Sequence, residues 1–349
     1  MPLSDAVSNP LWLNVGIFAA AAALVWIAGT RLTRDVNAIA ARTGMHHAFA
    51  GMVLLGGITS LPEVANVATS SAMGDPALGV NNLLGSAAIN VLLLALADAF
   101  IGREPVTGIV ARPSTMMMAS LCMLVLIVIA GAVTLGDIPV LDVGVGVGGV
   151  FVCAISVGSF WLATGYDKRS PWKVAGEQQR AAATGEDEDI RVPLRTLWLR
   201  TGLYGALIFA TGYTLSQTGS AISDQTGIGS AFVGFALIGV ATSMPELSTI
   251  VAALRLRRPE MAFGQVLGTN FINLALILLA DLVFAGGPVI DELGRFEVIS
   301  ALLGATLIGI FMVGLLEHRD RTILRMGYDS AAVIVVFGLA LLVLSSLAG

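Results

Sequence analysis

Gly56-Gly57-Ile58-Thr59-Ser60-Leu61-Pro62-Glu63 returns 183 residues later as Gly239-Val240-Ala241-Thr242-Ser243-Met244-Pro245-Glu246. Each copy sets a proline and a glutamate in the middle of an otherwise apolar stretch. At the same offset, 23–98 aligns with 206–281 without a gap, and 26 of the 76 pairs are identical. Pro76, Gly85, Asn90 and Asp98 match Pro259, Gly268, Asn273 and Asp281. A period this long, found twice, is a duplicated architectural unit and not a short structural array.

The chain around these copies has 349 residues, of which 56% are hydrophobic and 12% charged. A soluble domain carries about 25% charged residues, so an ordinary water-soluble enzyme and a disordered chain are both excluded. The net charge of −5 and the lack of a basic stripe exclude nucleic acid as a partner. Apolar runs of about 20 residues, the length that crosses a bilayer, recur throughout. The fold class expected is an all-α polytopic membrane protein whose partners are the lipid bilayer and small inorganic cations. The N-terminus has no basic residue ahead of Leu11–Gly29, so that run reads as a retained first span. Cys122 and Cys153 lie inside apolar runs and read as small core residues. Nothing in the sequence fixes the oligomeric state, and a monomer is compatible with it.

Spans are expected at about 11–30, 45–73, 77–101, 113–134 and 139–165, and again at about 197–216, 228–254, 260–285, 296–316 and 329–348. This gives ten helices in two groups of five. The first half is 1–165, with its repeat at about 43–98. A polar linker covers 166–196, and the second half is 197–349, with its repeat at about 226–281. With ten crossings, the basic residues after spans one, three, five, seven and nine all fall on one side, and only Arg295 falls on the other. The positive-inside rule makes that side cytoplasmic, with the linker there and both termini outside, in a plasma or inner membrane. The first copy then enters the membrane from the cytoplasm and the second from outside. Such inversion is characteristic of secondary transporters. The acidic run Glu186–Asp189 in the linker reads as a solvated tether.

The two glutamates carry the chemistry. An ionised carboxylate at mid-membrane costs at least about 2.5–3.5 kcal/mol and so marks a functional site by default. Pro62 and Pro245 have no N–H to give, which frees the carbonyls of Ile58 and Ala241. Gly56, Gly57 and Gly239 tolerate distorted backbone, and Thr59, Ser60, Thr242 and Ser243 add hydroxyls. On the following helix of each half, Ser86 and Thr269 supply hydroxyls, and Asn90 and Asn273 supply amide oxygens. An all-oxygen set of this kind suits hard cations such as Ca²⁺ or Na⁺ and not zinc, copper or iron. Two close carboxylates need a cation or protons to balance them, and mutually exclusive occupancy is the minimal chemistry of an antiporter.

At these residues the sequence resembles the calcium/cation antiporter superfamily, whose repeats carry G-[ST]-S-x-P-E and then G-S-x-x-x-[ND], and within it the sodium/calcium exchanger branch. The resemblance implies a secondary active antiporter, not an enzyme, that exchanges Na⁺ for Ca²⁺ by alternating access and uses no cofactor. It implies that Glu63 and Glu246, with the carbonyls of Thr59 and Thr242, form the Ca²⁺ site. Ser60, Ser243, Ser86 and Thr269, with carbonyls near Gly56 and Gly239, would serve flanking Na⁺ sites, and Asn90 and Asn273 would sit at the centre. Spans one and six would move against the remaining bundle. The chain departs from the family pattern at Asn273, where many members have an aspartate. Ala87 stands for a usual asparagine that its counterpart Asn270 keeps, and Thr269 stands for a usual serine.

That departure keeps an H⁺-coupled or other-cation antiporter of the same fold as the alternative. A passive cation channel is the reading from a different class, and it gives no reason for inverted halves. An intramembrane enzyme lacks an HExxH motif, and its only histidines, His46, His47 and His318, lie at span edges. Asp98 and Asp281 sit two turns beyond the central asparagines and have two readings: gathering cations at the mouths, or pairing locally, with Arg103 a partner for Asp98. Gly144, Gly146, Gly148 and Gly149 imitate a dinucleotide fingerprint but have no βαβ context, and read as close helix packing.

Overall fold

The computed structural model describes residues 8–101, 112–140, 144–164, 166, 192–226, 235, 239–317, 322–323 and 326–347. The acidic run Glu186–Asp189 and Arg103 lie outside the described residues. The elements are α1 (Leu11–Thr43), α2 (His47–Ala50), a π-helical turn over Gly51–Leu55, α3 (Gly56–Thr59), α4 (Leu61–Ala72), α5 (Pro76–Ile101), α6 (Pro113–Leu135) and α7 (Val147–Ala163). There follow α8 (Leu194–Thr226), α9 (Gly239–Thr242), α10 (Met244–Arg255), α11 (Pro259–Ala275), α12 (Ile277–Val283), α13 (Arg295–Glu317) and α14 (Tyr328–Leu347). A two-residue hairpin pairs Thr322 with Gly327 and Ile323 with Met326. Among the described residues, seven helices are long and apolar enough to cross a membrane. Trp12, Trp161, Leu199 and Leu342 stand largely exposed on their outer surfaces, as side chains facing lipid would.

The layering follows from where the apolar surface is spent. Of the most apolar window of Pro76–Asp98, 89% is buried, against 22% for Leu11–Thr43 and for Tyr328–Leu347. α5 is therefore the central post, and α1 and α14 are peripheral. α5 packs on α11, α6 packs on α13, and α1 lies along α8 and α10. Close approach at the centre depends on two glycines. A Cβ on Gly85 would run into the backbone of Phe235, and one on Gly268 would stand 2.6 Å from the carbonyl oxygen of Met52. Phe235 and Met52 are themselves equivalent positions of the two copies.

The structure corrects the sequence reading at several helix bounds. The first helix does not stop near residue 30 but runs to Thr43, carrying Arg31, Arg34 and Arg42 on exposed positions. Nothing breaks it until Gly44, whose φ of 67° closes the helix with its N–H on the carbonyl of Ala40. The fifth span does not begin at 139: a short bridge joins Pro139 to Gly146, and the helix starts only at Val147. Gly144 and Gly146 thus lie in that loop and not in helix packing. Gly144 has φ 78°, and at Gly149 a Cβ would stand 2.6 Å from Oδ2 of Asp281.

Of the two readings of Asp98 and Asp281, the structure shows local pairing, with backbone and hydroxyl donors. Asp281 is 2% exposed, and its carboxylate accepts from the backbone N–H groups of Gly146 and Val289, both at 2.7 Å. Asp98 is 1% exposed and accepts from the N–H of Gly327 and the hydroxyl of Ser330, both at 2.8 Å. Each acid accepts at the start of another helix: Asp281 from Gly146, just before α7, and from Val289, which opens a 3-10 turn, and Asp98 from Gly327, just before α14, and from Ser330 in the first turn of α14. There the helix dipole favours negative charge. Asp281→Ala strips two N–H groups of their acceptor, at about 1–3 kcal/mol for each buried orphan. The thermal unfolding midpoint of the purified protein should fall markedly in Asp281→Ala and less in Asp281→Asn, which keeps an acceptor oxygen. An unchanged midpoint in Asp281→Ala would refute this clasp.

Candidate functional site

Both Pro-Glu motifs interrupt their helices in the same way. α3 ends at Thr59, Ser60 forms a turn, and α4 starts at Leu61 with Pro62 in its first turn. α9 ends at Thr242, Ser243 forms the turn, and α10 starts at Met244 with Pro245 in its first turn. The backbone bonds that survive also match: the N–H of Ser60 reaches the carbonyl of Gly56 at 3.1 Å, and that of Ser243 reaches Gly239 at 3.0 Å. The positions that would donate to the carbonyls of Ile58 and Ala241 are Pro62 and Pro245, which carry no N–H.

The breaks bring the two carboxylates together. Glu63 and Glu246 are both 0% exposed, each in the first turn of the helix after its break. They lie close enough to interact electrostatically, with Thr59 beside Glu246 and Thr242 beside Glu63. Thr59 Oγ1 itself donates to the carbonyl of Leu55 at 3.0 Å and Thr242 Oγ1 to Asn82 Oδ1 at 3.2 Å, so each threonine stands beside the carboxylate of the other copy without committing its proton to it. Ser86 Oγ donates to Oε1 of Glu63 at 3.2 Å and lies 3.2 Å from Oγ1 of Thr242. Oε2 of Glu63 and both carboxylate oxygens of Glu246 are buried without a hydrogen-bond partner. No lysine or arginine is buried among the described residues. Buried polar groups are normally paired, so these oxygens stand ready to accept a cation.

The remaining candidates divide by how firmly they are held. Thr59, Ser60, Ser86, Asn90, Thr242, Ser243, Thr269 and Asn273 are all buried. Ser60 Oγ donates to the carbonyl of Gly56 at 2.9 Å, whereas Ser243 Oγ and Thr269 Oγ1 have no partner. Asn90 Nδ2 donates to Asn270 Oδ1 at 3.3 Å, and Asn270 Nδ2 donates to the carbonyl of Ala87 at 3.3 Å. Asn90 is thereby oriented, with its own Oδ1 unpartnered, while neither amide atom of Asn273 has a partner. The carbonyl of Gly56 already accepts from Ser60 and, at 3.4 Å, from the hydroxyl of Thr59. That of Gly239 accepts from Ser243 and, at 3.4 Å, from Thr242. These two carbonyls are therefore the least available of the expected ligands.

Sequence reasoning missed Asn82, whose Oδ1 accepts from Thr242 Oγ1 at 3.2 Å. It also missed Gln265, which donates from Nε2 to the hydroxyl of Thr249. The signal was available: Asn82 and Gln265 are equivalent positions of the two copies, and both put an amide into an apolar span. Cys122 is a buried free thiol, as its apolar surroundings suggest, and it lies beside Asn270. His46 Nε2 lies 3.2 Å from Nη1 of Arg112.

A family model described as sodium/calcium exchanger protein matches residues 13–166 and 196–346. The inner membrane protein YrbG of Escherichia coli K12 is 25% identical over 286 residues, covering 82% of this chain and 84% of that protein. The sodium/calcium exchanger MaX1 of Methanosarcina acetivorans is 27% identical over 119 residues, a third of each chain. A structure of the sodium-calcium exchanger NCX_Mj, soaked with Na⁺ and Sr²⁺, superposes with a TM-score of 0.67 at 16% identity. It covers 95% of this chain and 99% of that one, so the two share a fold.

Two ionised carboxylates buried without a counter-charge disfavour the folded state. In cation-free buffer, Glu246→Gln should unfold at a higher temperature than the wild type, and added Ca²⁺ should stabilise the wild type but not the variant. A lower midpoint for Glu246→Gln would show that the charge is compensated in a way the geometry does not reveal.

Proposed function

Since the chain belongs to the sodium/calcium exchanger family, we propose that it exchanges Na⁺ for Ca²⁺ at a single central site between the two helix breaks. The observation that carries this is the pair Glu63 and Glu246: fully buried, mutually close and short of hydrogen-bond partners. Ca²⁺ would take the two carboxylates and the carbonyls of Thr59 and Thr242, at the ends of α3 and α9. Na⁺ would use the hydroxyls of Ser60, Ser86, Ser243 and Thr269, with Asn90 and Asn273 between the two sets. The carbonyls of Gly56 and Gly239 can join only by shedding a hydroxyl donor. Hard oxygen ligands of this kind select Ca²⁺ and Na⁺ by number and charge and not by softness.

Ten crossings in two inverted halves, with the linker cytoplasmic and both termini outside, remain the topology we propose. Its support is the one-sided distribution of basic residues and the paired contacts at Gly85 and Gly268. An asymmetry between the halves supports alternating access. Gly29 of α1 packs on Ser248, and its counterpart Gly212 of α8 packs on Pro62. Strict equivalence would set Gly29 on Pro245 or Gly212 on Ala65, each three residues from the observed partner. Three residues are about one helical turn. The two peripheral helices thus seat one turn out of register on their partners, and exchanging the two seats would exchange the side of access.

The test is ⁴⁵Ca²⁺ uptake into proteoliposomes loaded with Na⁺ and diluted into Na⁺-free buffer. The expected result is uptake that collapses when the Na⁺ gradient is removed and that is lost in Glu63→Gln and Glu246→Gln. Gly29→Leu, which cannot pass Ser248, should stop flux while Ca²⁺ still stabilises the protein thermally. Uptake driven only by a pH gradient would replace Na⁺ with H⁺. Flux indifferent to any counter-ion would end the exchanger reading.

A further inference from the structure

Building on that exchanger reading, we propose that Asn82 and Gln265 are positioning residues that exchange partners when access changes sides. They are equivalent positions of the two copies, on α5 and α11, and both are fully buried. Yet they hold different things. Asn82 reaches into the other half, where its Oδ1 accepts from the hydroxyl of Thr242, the last residue of α9, at 3.2 Å. Gln265 stays in its own half, where its Nε2 donates to the hydroxyl of Thr249 on α10. Each amide uses the end that the other leaves idle: Asn82 Nδ2 and Gln265 Oε1 are buried without a partner. Buried polar atoms are normally paired, so each idle atom marks a second partner that this arrangement withholds.

The repeat identifies those partners. The counterpart of Thr242 is Thr59, and the counterpart of Thr249 is Asn66. Thr59 ends α3 with its hydroxyl turned to the carbonyl of Leu55 at 3.0 Å. Turned to Gln265 Oε1 instead, it would repeat the bond between Thr242 and Asn82. Asn66 lies opposite Asn82. On one side of the pair Gly79 faces Val67 and Ser70, and on the other Ser86 Oγ donates to Glu63 at 3.2 Å. Residues 79, 82 and 86 share one face of α5, and 63, 66 and 70 share one face of α4. The seats of the peripheral helices show the same asymmetry. Gly29 of α1 packs on Ser248 and Thr249, in the second turn of α10, and Thr33 donates to the carbonyl of Thr249 at 3.5 Å. Gly212 of α8 stops at Pro62, in the first turn of α4. Where the peripheral helix reaches the second turn, the amide binds there; where it stops at the proline, the amide binds the other half's break. Exchanging the seats would move Gln265 to Thr59 and Asn82 to Asn66. Each access state then pins one break threonine and releases the other.

The experiment reads the seat of α1 in the full-length protein in nanodiscs, as the distance between spin labels on Trp12→Cys at the start of α1 and Arg255→Cys at the end of α10. Both positions are exposed. Cys153→Ala removes the half-buried thiol, and the buried Cys122 stays. In the proposed topology α1 and α10 run the same way, so seating Gly29 on Pro245 lengthens that distance by about 5 Å. Thr249→Val deprives Gln265 of its partner in the present arrangement alone, and the longer population should rise about fivefold relative to the shorter, the weight of one hydrogen bond. Asn66→Leu deprives Asn82 of its partner in the other arrangement alone, and the longer population should fall by a similar factor. Thr249→Ser keeps the hydroxyl and should leave the ratio unchanged. A ratio that stays fixed in both variants, or moves the same way in both, would overturn the exchange of partners and leave the exchanger reading intact. If neither a Na⁺ nor a pH gradient drives ⁴⁵Ca²⁺ uptake by the wild type, the exchanger reading itself falls, and the exchange of partners with it.

Discussion

Two carboxylates held out of water beside each other, with no buried lysine or arginine among the described residues to offset them, set the terms for the rest of this molecule. Such a pair is unfavourable wherever it is not balanced by positive charge, so the fold must supply compensation or admit it. The helix breaks at Ser60 and Ser243 admit it. Each break leaves one carbonyl, that of Ile58 or of Ala241, without its usual helical donor, because Pro62 or Pro245 has no N–H. Glycines at 85 and 268 then let the central helices approach until only backbone separates them from the opposing chain. A bulkier residue at either position would open the centre and dissolve the site.

Each half is completed by the other. Thr59 stands beside Glu246 and Thr242 beside Glu63, while Asn90 is oriented by Asn270. Farther out, Asp98 holds the start of α14 and Asp281 the start of α7. These cross-connections tie the inner helices into one block. α1 and α8 are joined to it more sparsely: Thr33 of α1 donates to the carbonyl of Thr249 at 3.5 Å, and Gly29 and Gly212 pack on Ser248 and Pro62. A block tied by carboxylate and amide bonds beside two more sparsely bonded helices is the division that the proposed alternating access would use.

Much of this was legible because the sequence repeats itself. The Pro-Glu motifs, the paired hydroxyls and the paired asparagines all stand at one fixed offset, and burial of an acid in an apolar span has few explanations. The family assignment followed from the same residues. Helix ends were less legible, because hydropathy marks where a chain is apolar and not where its helix stops. α1 therefore continues past Arg31 to the capping Gly44. Asp98 and Asp281 left two readings open for a related reason: an acid near a span end looks like a mouth charge until the helix start it caps is seen. Asn82 went unnoticed because a single amide beside the motif carries no chemistry of its own until Thr242 is placed against it.

The central claim is that Glu63 and Glu246 together hold one divalent cation that monovalent ions displace. Equilibrium binding of ⁴⁵Ca²⁺ to the purified protein, titrated with Na⁺ and compared with Glu63→Gln and Glu246→Gln, tests it most directly. The account predicts one Ca²⁺ per chain, displaced competitively by Na⁺, with binding lost in either variant. Full Ca²⁺ binding retained by either variant would place the cation elsewhere and contradict the account.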